Sequence, residues 1–145
     1  MIERYDRTYL AFDYGERRIG VAKSDPTGMI PSPLLTLEVK SVKEALTKVL
    51  ALIKEYEPNG LVFGYPLLRS GDKSEKCEKV DKFIEKLAAE TSLPVYRVNE
   101  YDTSNEAMAV IKAHGKKTGK NKTKIDLLSA VIILQRFLED NDETK

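Results

Sequence analysis

The sequence predicts an α/β protein built on a mixed five-stranded sheet with helices on both faces. Three observations carry that expectation. The chain opens with two short apolar runs around a tight turn, the mark of an antiparallel hairpin. Strand-like and helix-like stretches then alternate, as in right-handed crossovers between parallel strands. A hydrophobic content of 41% beside a charged content of 32% is the profile of a globular chain.

The first strand is Tyr9 to Phe12, apolar and aromatic, and Gly15 supplies the turn into Ile19 to Ala22. Asp25-Pro26-Thr27-Gly28 is turn chemistry. Pro31 and Pro33 favour an extended connection into an edge strand at Leu34 to Leu37. Ser41-Val42-Lys43-Glu44 has the spacing of a capping box, and Val42, Ala45, Leu46, Val49, Leu50 and Ile53 follow at helical spacing. That helix is expected to stop before Pro58, with Asn59-Gly60 as its exit. Leu61-Val62-Phe63 suits a strand covered on both faces.

A loop over Gly64 to Gly71 leads to a second helix starting near Ser74. Its apolar stripe is Cys77, Val80, Phe83, Ile84, Leu87 and Ala88. Cys77, the one cysteine, falls on that stripe and reads as a small core residue. Val95 to Val98 is the last strand. Thr103-Ser104-Asn105-Glu106 has capping-box spacing and opens a third helix. A basic, glycine-containing loop follows. The final helix begins at Thr123 or Lys124 and is apolar around most of its circumference, so it should be well buried.

The 145 residues suffice for a single domain, expected to span 1–145. No apolar run reaches membrane-spanning length, and the first residues lack the apolar region of a signal peptide. A cytoplasmic location without membrane association is the default expectation. Net charge is +1, from 24 basic and 23 acidic residues. The balance hides a local asymmetry. Lys112 to Lys124 contains no acid and includes Lys116, Lys117, Lys120, Lys122 and Lys124, offset by the acidic stretch from Glu139 onward. Such a loop suits phosphate binding, and its alternative is an ordinary solvated loop. Arg17 and Arg18 have the same two readings. His114, the only histidine, lies beside this loop and reads as a solvated or phosphate-contacting residue.

Three acids occupy comparable places. Asp13 ends the first strand, Glu100 follows the last, and Asp126 lies in the first turn of the final helix. Ligands of open sheets gather at the carboxyl ends of parallel strands, beside a topological switch. Three carboxylates converging there without basic partners would repel one another, and a divalent cation removes that repulsion. Magnesium takes oxygen ligands and leaves room for substrate phosphates. Two such ions about 4 Å apart activate a water and stabilise the leaving oxygen in phosphodiester cleavage. Each acid also has a structural alternative: Asp13 as a turn cap, Glu100 as a solvated loop acid, Asp126 as the far end of a capping box begun by Thr123.

The run Asp13-Tyr14-Gly15-Glu16-Arg17-Arg18-Ile19-Gly20-Val21-Ala22-Lys23-Ser24-Asp25 resembles the first motif of the YqgF/RuvX family. Gly64-Tyr65-Pro66-Leu67 with Gly71 resembles its second, and Ile125 to Gln135 its last. Members are described as candidate Holliday-junction resolvases and as nucleases maturing the precursor of 16S rRNA. The resemblance implies an RNase H-like fold and a hydrolase dependent on Mg2+ or Mn2+, with Asp13, Glu100 and Asp126 as catalytic metal ligands. It implies as partners RNA, a ribosomal subunit or branched DNA, and a monomer or homodimer. One segment departs from the family pattern. Asn99-Glu100-Tyr101 stands where Asp-Glu-Arg is usual. That departure leaves open a non-catalytic RNA-binding assembly factor on the same fold. A nucleotide-binding reading of Asp13-Tyr14-Gly15, as in sugar kinases, would require a second domain and a second such loop.

Overall fold

The computed structural model describes residues 8–99 and 122–140. Eight elements follow in order: β1 (Tyr9–Tyr14), β2 (Arg18–Ser24), β3 (Pro31–Glu38), α1 (Val42–Tyr56), β4 (Gly60–Tyr65), α2 (Glu75–Ala88), β5 (Val95–Asn99) and α3 (Lys122–Asp140). The helix expected after Thr103 lies outside the described residues, as does the basic loop up to residue 121.

The strands form a five-stranded sheet in the order β3-β2-β1-β4-β5. β1 pairs antiparallel with β2, and β2 with β3, while β1–β4 and β4–β5 are parallel. The switch between the two modes falls at β1. The parallel strands β1, β4 and β5 therefore end along one edge of the sheet, at Tyr14, Tyr65 and Asn99.

Side chains alternate across a strand, so each face collects its own core. Leu10, Phe12 and Tyr14 of β1 join Phe63 of β4 and pack against α1 and α2 through Val49, Val80, Phe83 and Leu87. Phe12 stacks on Phe63 at 4.9 Å between ring centroids, and Tyr14 on Phe83 at 4.5 Å. Ala11, Ala22 and Val62 face the other way, onto Ala130, Ile133, Leu134 and Phe137 of α3. Leu61, Val62 and Phe63 are fully buried, as their unbroken apolar run predicts. Small residues on the α3 face of the sheet let the helix lie close.

The helix starts are where serines put them. Ser41 Oγ accepts from Glu44 N–H at 3.1 Å, and Ser74 Oγ from Cys77 N–H at 3.2 Å. The Glu44 carboxylate reaches back to Lys40 N–H rather than to Ser41, a looser version of the expected box. Cys77 is fully buried.

Four expectations need correction. α1 stops before Pro58 as expected, but its exit differs: the cap is Glu57, held at φ 46 and ψ 56 with its N–H on the Ile53 carbonyl. The left-handed turn is thus made before Pro58 rather than at Asn59-Gly60, and Gly60 already begins β4. β3 starts at Pro31, so both prolines lie inside it. An edge strand tolerates them because it needs N–H donors on one side only. Val42 and Ala88, placed on apolar stripes by spacing, are exposed. α3 starts at Lys122, which puts Lys122 and Lys124 on a helix and not in a loop. Among the described residues, no helix is long and apolar enough to cross a membrane.

Candidate functional site

Asp13 is the fifth residue of β1 and only 6% exposed. It shares a sheet face with Ala11 and therefore points to the α3 side. Its direct partner across the antiparallel ladder is Gly20 of β2. The backbone of Asp126 sits on that glycine. A Cβ built on Gly20 would stand 2.0 Å from the Asp126 carbonyl oxygen and 3.1 Å from the Asp126 Cβ. Glycine inside a strand often marks close approach of another backbone. Here it lets the first turns of α3 descend onto the sheet beside Asp13.

The electrostatics follow from that contact. Burial is the largest influence on the Asp126 carboxyl and pushes its pKa up. The hydrogen bond from Arg18 works against this, and the charge of Asp13 adds to it, leaving the pKa above the usual aspartate value. Two carboxylates thus feel each other across a half-buried notch at the carboxyl end of β1.

The expectation of acids without basic partners does not hold. Arg18 Nε donates to Asp126 Oδ2 at 2.9 Å, and Lys76 Nζ to Asp13 Oδ1 at 3.4 Å. Arg18 and Lys76 both favour the Asp126 charge, yet burial and the Asp13 charge keep its pKa raised. The capping-box alternative for Asp126 is not what forms. The helix begins four residues earlier, and the Asp126 carboxylate is committed to Arg18.

Both acids offer carboxylate oxygen, the donor type that Mg2+ and Mn2+ take. A notch where the charge of Asp13 raises the cost of ionising Asp126 favours a dication. On that chemistry the described residues fit a divalent metal. Glu100 lies outside the described residues. Among the described residues, no group of three or more His, Cys, Asp and Glu side chains comes together.

A family model described as Holliday junction resolvase, RuvX, matches residues 7–140. The chain belongs to the RuvX family. Among its relatives is a candidate pre-16S rRNA nuclease of Chlorobium chlorochromatii, 39% identical over 134 residues, covering 90% of this chain and 93% of the relative. A protein of the same name from Koribacter versatilis is 41% identical over 130 residues, covering 90% and 85%. Two solved structures resemble this RuvX chain in fold. One is Thermus thermophilus RuvC in complex with a Holliday junction substrate, with a TM-score of 0.61 at 17% identity over 95% of this chain and 97% of that one. The other is the fowlpox virus resolvase with Holliday junction DNA, with a TM-score of 0.60 at 14% identity over 94% and 99%. The RNase H-like fold that the motifs imply is therefore the fold of this RuvX chain.

The remaining sequence candidates of the RuvX chain divide. Arg17 is exposed, with its carbonyl accepting from Val39 N–H at 2.9 Å. Arg18 faces the acids. Lys124 is exposed on α3, and Lys122 belongs to the same helix. Lys116, Lys117, Lys120 and His114 lie outside the described residues. Sequence reasoning missed Gly20 and Lys76. A glycine inside the apolar run Ile19 to Ala22 was the available signal for the first. Lys76 gave only a faint one, a cation in the first turn of a helix, where the dipole disfavours it.

Proposed function

We propose that this chain is a divalent-metal-dependent endonuclease that cuts structured nucleic acid, with the precursor of 16S rRNA as its substrate in the cytoplasm. One observation supports this reading above the others. Asp13 and Asp126, far apart in sequence, meet on one sheet face through the gap left by Gly20. The names of relatives 35–41% identical to this chain favour ribosomal RNA.

In this reading Asp13, Asp126 and Glu100 hold Mg2+ or Mn2+. The metal, when bound, supplies an activated water and charge stabilisation at the scissile phosphate. The chain's own residues do the rest. Arg18, now on the Asp126 carboxylate, would be within the site to meet a phosphate oxygen. Lys76 would do the same from Asp13. Arg17, Lys116, Lys117, Lys120, Lys122 and Lys124 grip the backbone on either side.

The test is cleavage of precursor rRNA fragments by the purified chain with Mg2+ or Mn2+, beside a four-way DNA junction. Asp13→Asn is expected to cut about 10^3-fold more slowly, since metal stabilisation of several kcal/mol is lost. Its fold and most of its RNA binding should persist. Equal rates for variant and parent remove Asp13 from the site. The family description favours a second substrate, branched DNA, for which symmetric cutting would require a homodimer. Faster cutting of the junction than of RNA selects it. Salt-sensitive binding with no cutting of either substrate leaves an assembly factor.

A further inference from the structure

A second cationic cluster lies along the same edge, on the α2 side of the sheet. Its centre is Asp81 of α2. Asp81 Oδ2 accepts from Tyr65 Oη at 2.8 Å and from Lys73 Nζ at 3.2 Å, while Oδ1 accepts from Arg97 Nε at 2.9 Å. The Arg97 guanidinium also lies over the Tyr65 ring, 5.7 Å from its centroid. Burial works against the Asp81 charge, but these three donors outweigh it and hold the carboxyl below the usual aspartate range.

The charges do not cancel. One carboxylate faces two cations, and both cations remain open to solvent, Lys73 at 62% and Arg97 at 40% exposure. Arg97 uses its Nε on Asp81, and a guanidinium has two further nitrogens that can donate. Arg97 is unusual in its own strand as well. It pairs in register with Phe63, on an otherwise apolar face. Position matters equally. Tyr65 ends β4 on the edge where β1 brings Asp13, and Lys73 precedes α2, whose first turn sends Lys76 to Asp13. Lys76 and Lys73 thus lie between the acids and Arg97 of β5, interspersed with Glu75 and Glu78 of the first turn of α2.

We propose that Lys73, Arg97 and Tyr65, oriented by Asp81, form a clamp for a phosphodiester of the nucleic-acid strand away from the scissile bond. Asp81 is a positioning residue, and Lys73 and Arg97 make the contact. The inference rests on the nuclease reading above. It extends the substrate track to the α2 side of the sheet.

Binding of a labelled structured RNA, followed by anisotropy in EDTA across a salt series, tests the clamp without cleavage. Lys73→Met and Arg97→Met are each expected to weaken binding and to lower the slope of log K against log salt by about 0.7 to 0.9, the release accompanying one phosphate contact. Asp81→Asn removes a negative charge, so charge alone predicts tighter binding. The clamp predicts the opposite, weaker binding with a shallower slope, restored by Asp81→Glu. A purely structural network tying α2 to β4 and β5 lowers the melting temperature and leaves the slope alone, and that result overturns the proposal. If Asp81→Asn fails to fold, parental slopes in both methionine variants overturn it equally. A parent chain that binds no RNA overturns the clamp together with the nuclease reading. A parent that binds while the variants match it overturns the clamp only.

Discussion

At the scale of single residues, Asp126 carries a burden that function explains. Its folded pKa lies above the unfolded value of 3.8. The folded chain therefore holds this proton longer than the unfolded one, and stability falls as pH rises from 3.8 through the folded pKa. Asp126→Asn has no such charge to bury. It is expected to melt higher than the parent at neutral pH in metal-free buffer, with the gap closing as pH falls toward 3.8. The same variant should lose cleavage. Thermal melts at several pH values check the first half, and a lower melting point at neutral pH rejects it. Ser129, one turn further along α3, is a simpler case. Its hydroxyl is fully buried and has no hydrogen-bond partner among the described residues. Ser129→Ala removes that unmet group and improves helix propensity. The expected gain is about 1 kcal/mol, or roughly 2–4 °C in Tm.

At the scale of elements, the contact between α3 and β2 decides whether the site exists. The helix can reach Asp13 only because position 20 has no side chain. Gly20→Ala would push a methyl into the Asp126 backbone, which cannot swing aside as a flexible side chain can. The first turns of α3 must then lift. A cost of about 1–3 kcal/mol is typical of such overpacking. Displacing a catalytic group by about 1 Å is enough for a 10^2-fold loss of rate. Cleavage assays beside a denaturation curve separate the two effects. An Ala variant that cuts at the parental rate would show that the helix start has slack.

Elements also show where sequence reasoning succeeds. Ser41 and Ser74 announce α1 and α2 because capping is a local bond, made within three residues. The strands announce themselves through unbroken apolar runs. The stop of α1 before Pro58 is legible, but its exit is not, because Glu57 adopts a left-handed conformation that composition does not advertise. The start of β3 is less legible, because Pro31 and Pro33 read equally well as an extended connection leading into the edge strand. The site was less legible than the fold. Asp13 and Asp126 each had a local role to offer, and the family motifs were what raised them above it. Lys76 meets Asp13 across 63 residues of chain, a pairing no local pattern encodes.

At the scale of the whole molecule, metal binding and folding should be linked. A ligand that binds only the folded chain stabilises it by about 2.7 kcal/mol at a hundred times its dissociation constant. For a chain of this size that corresponds to a rise of roughly 5–10 °C. Mn2+ or Mg2+ is expected to raise the melting temperature of the parent in this way and to do so far less for Asp126→Asn. Differential scanning calorimetry reads both. An equal shift in the two proteins would place the ion elsewhere.

The order of the elements has one more effect. Asp13 is made early and α3 late, and α3 brings both the second acid and the cover for Ala11, Ala22 and Val62. While the ribosome is still synthesising the chain, it holds one acid of the candidate site and a bare greasy sheet face. Destructive power toward RNA thus arrives only with the same helix that seals the interior.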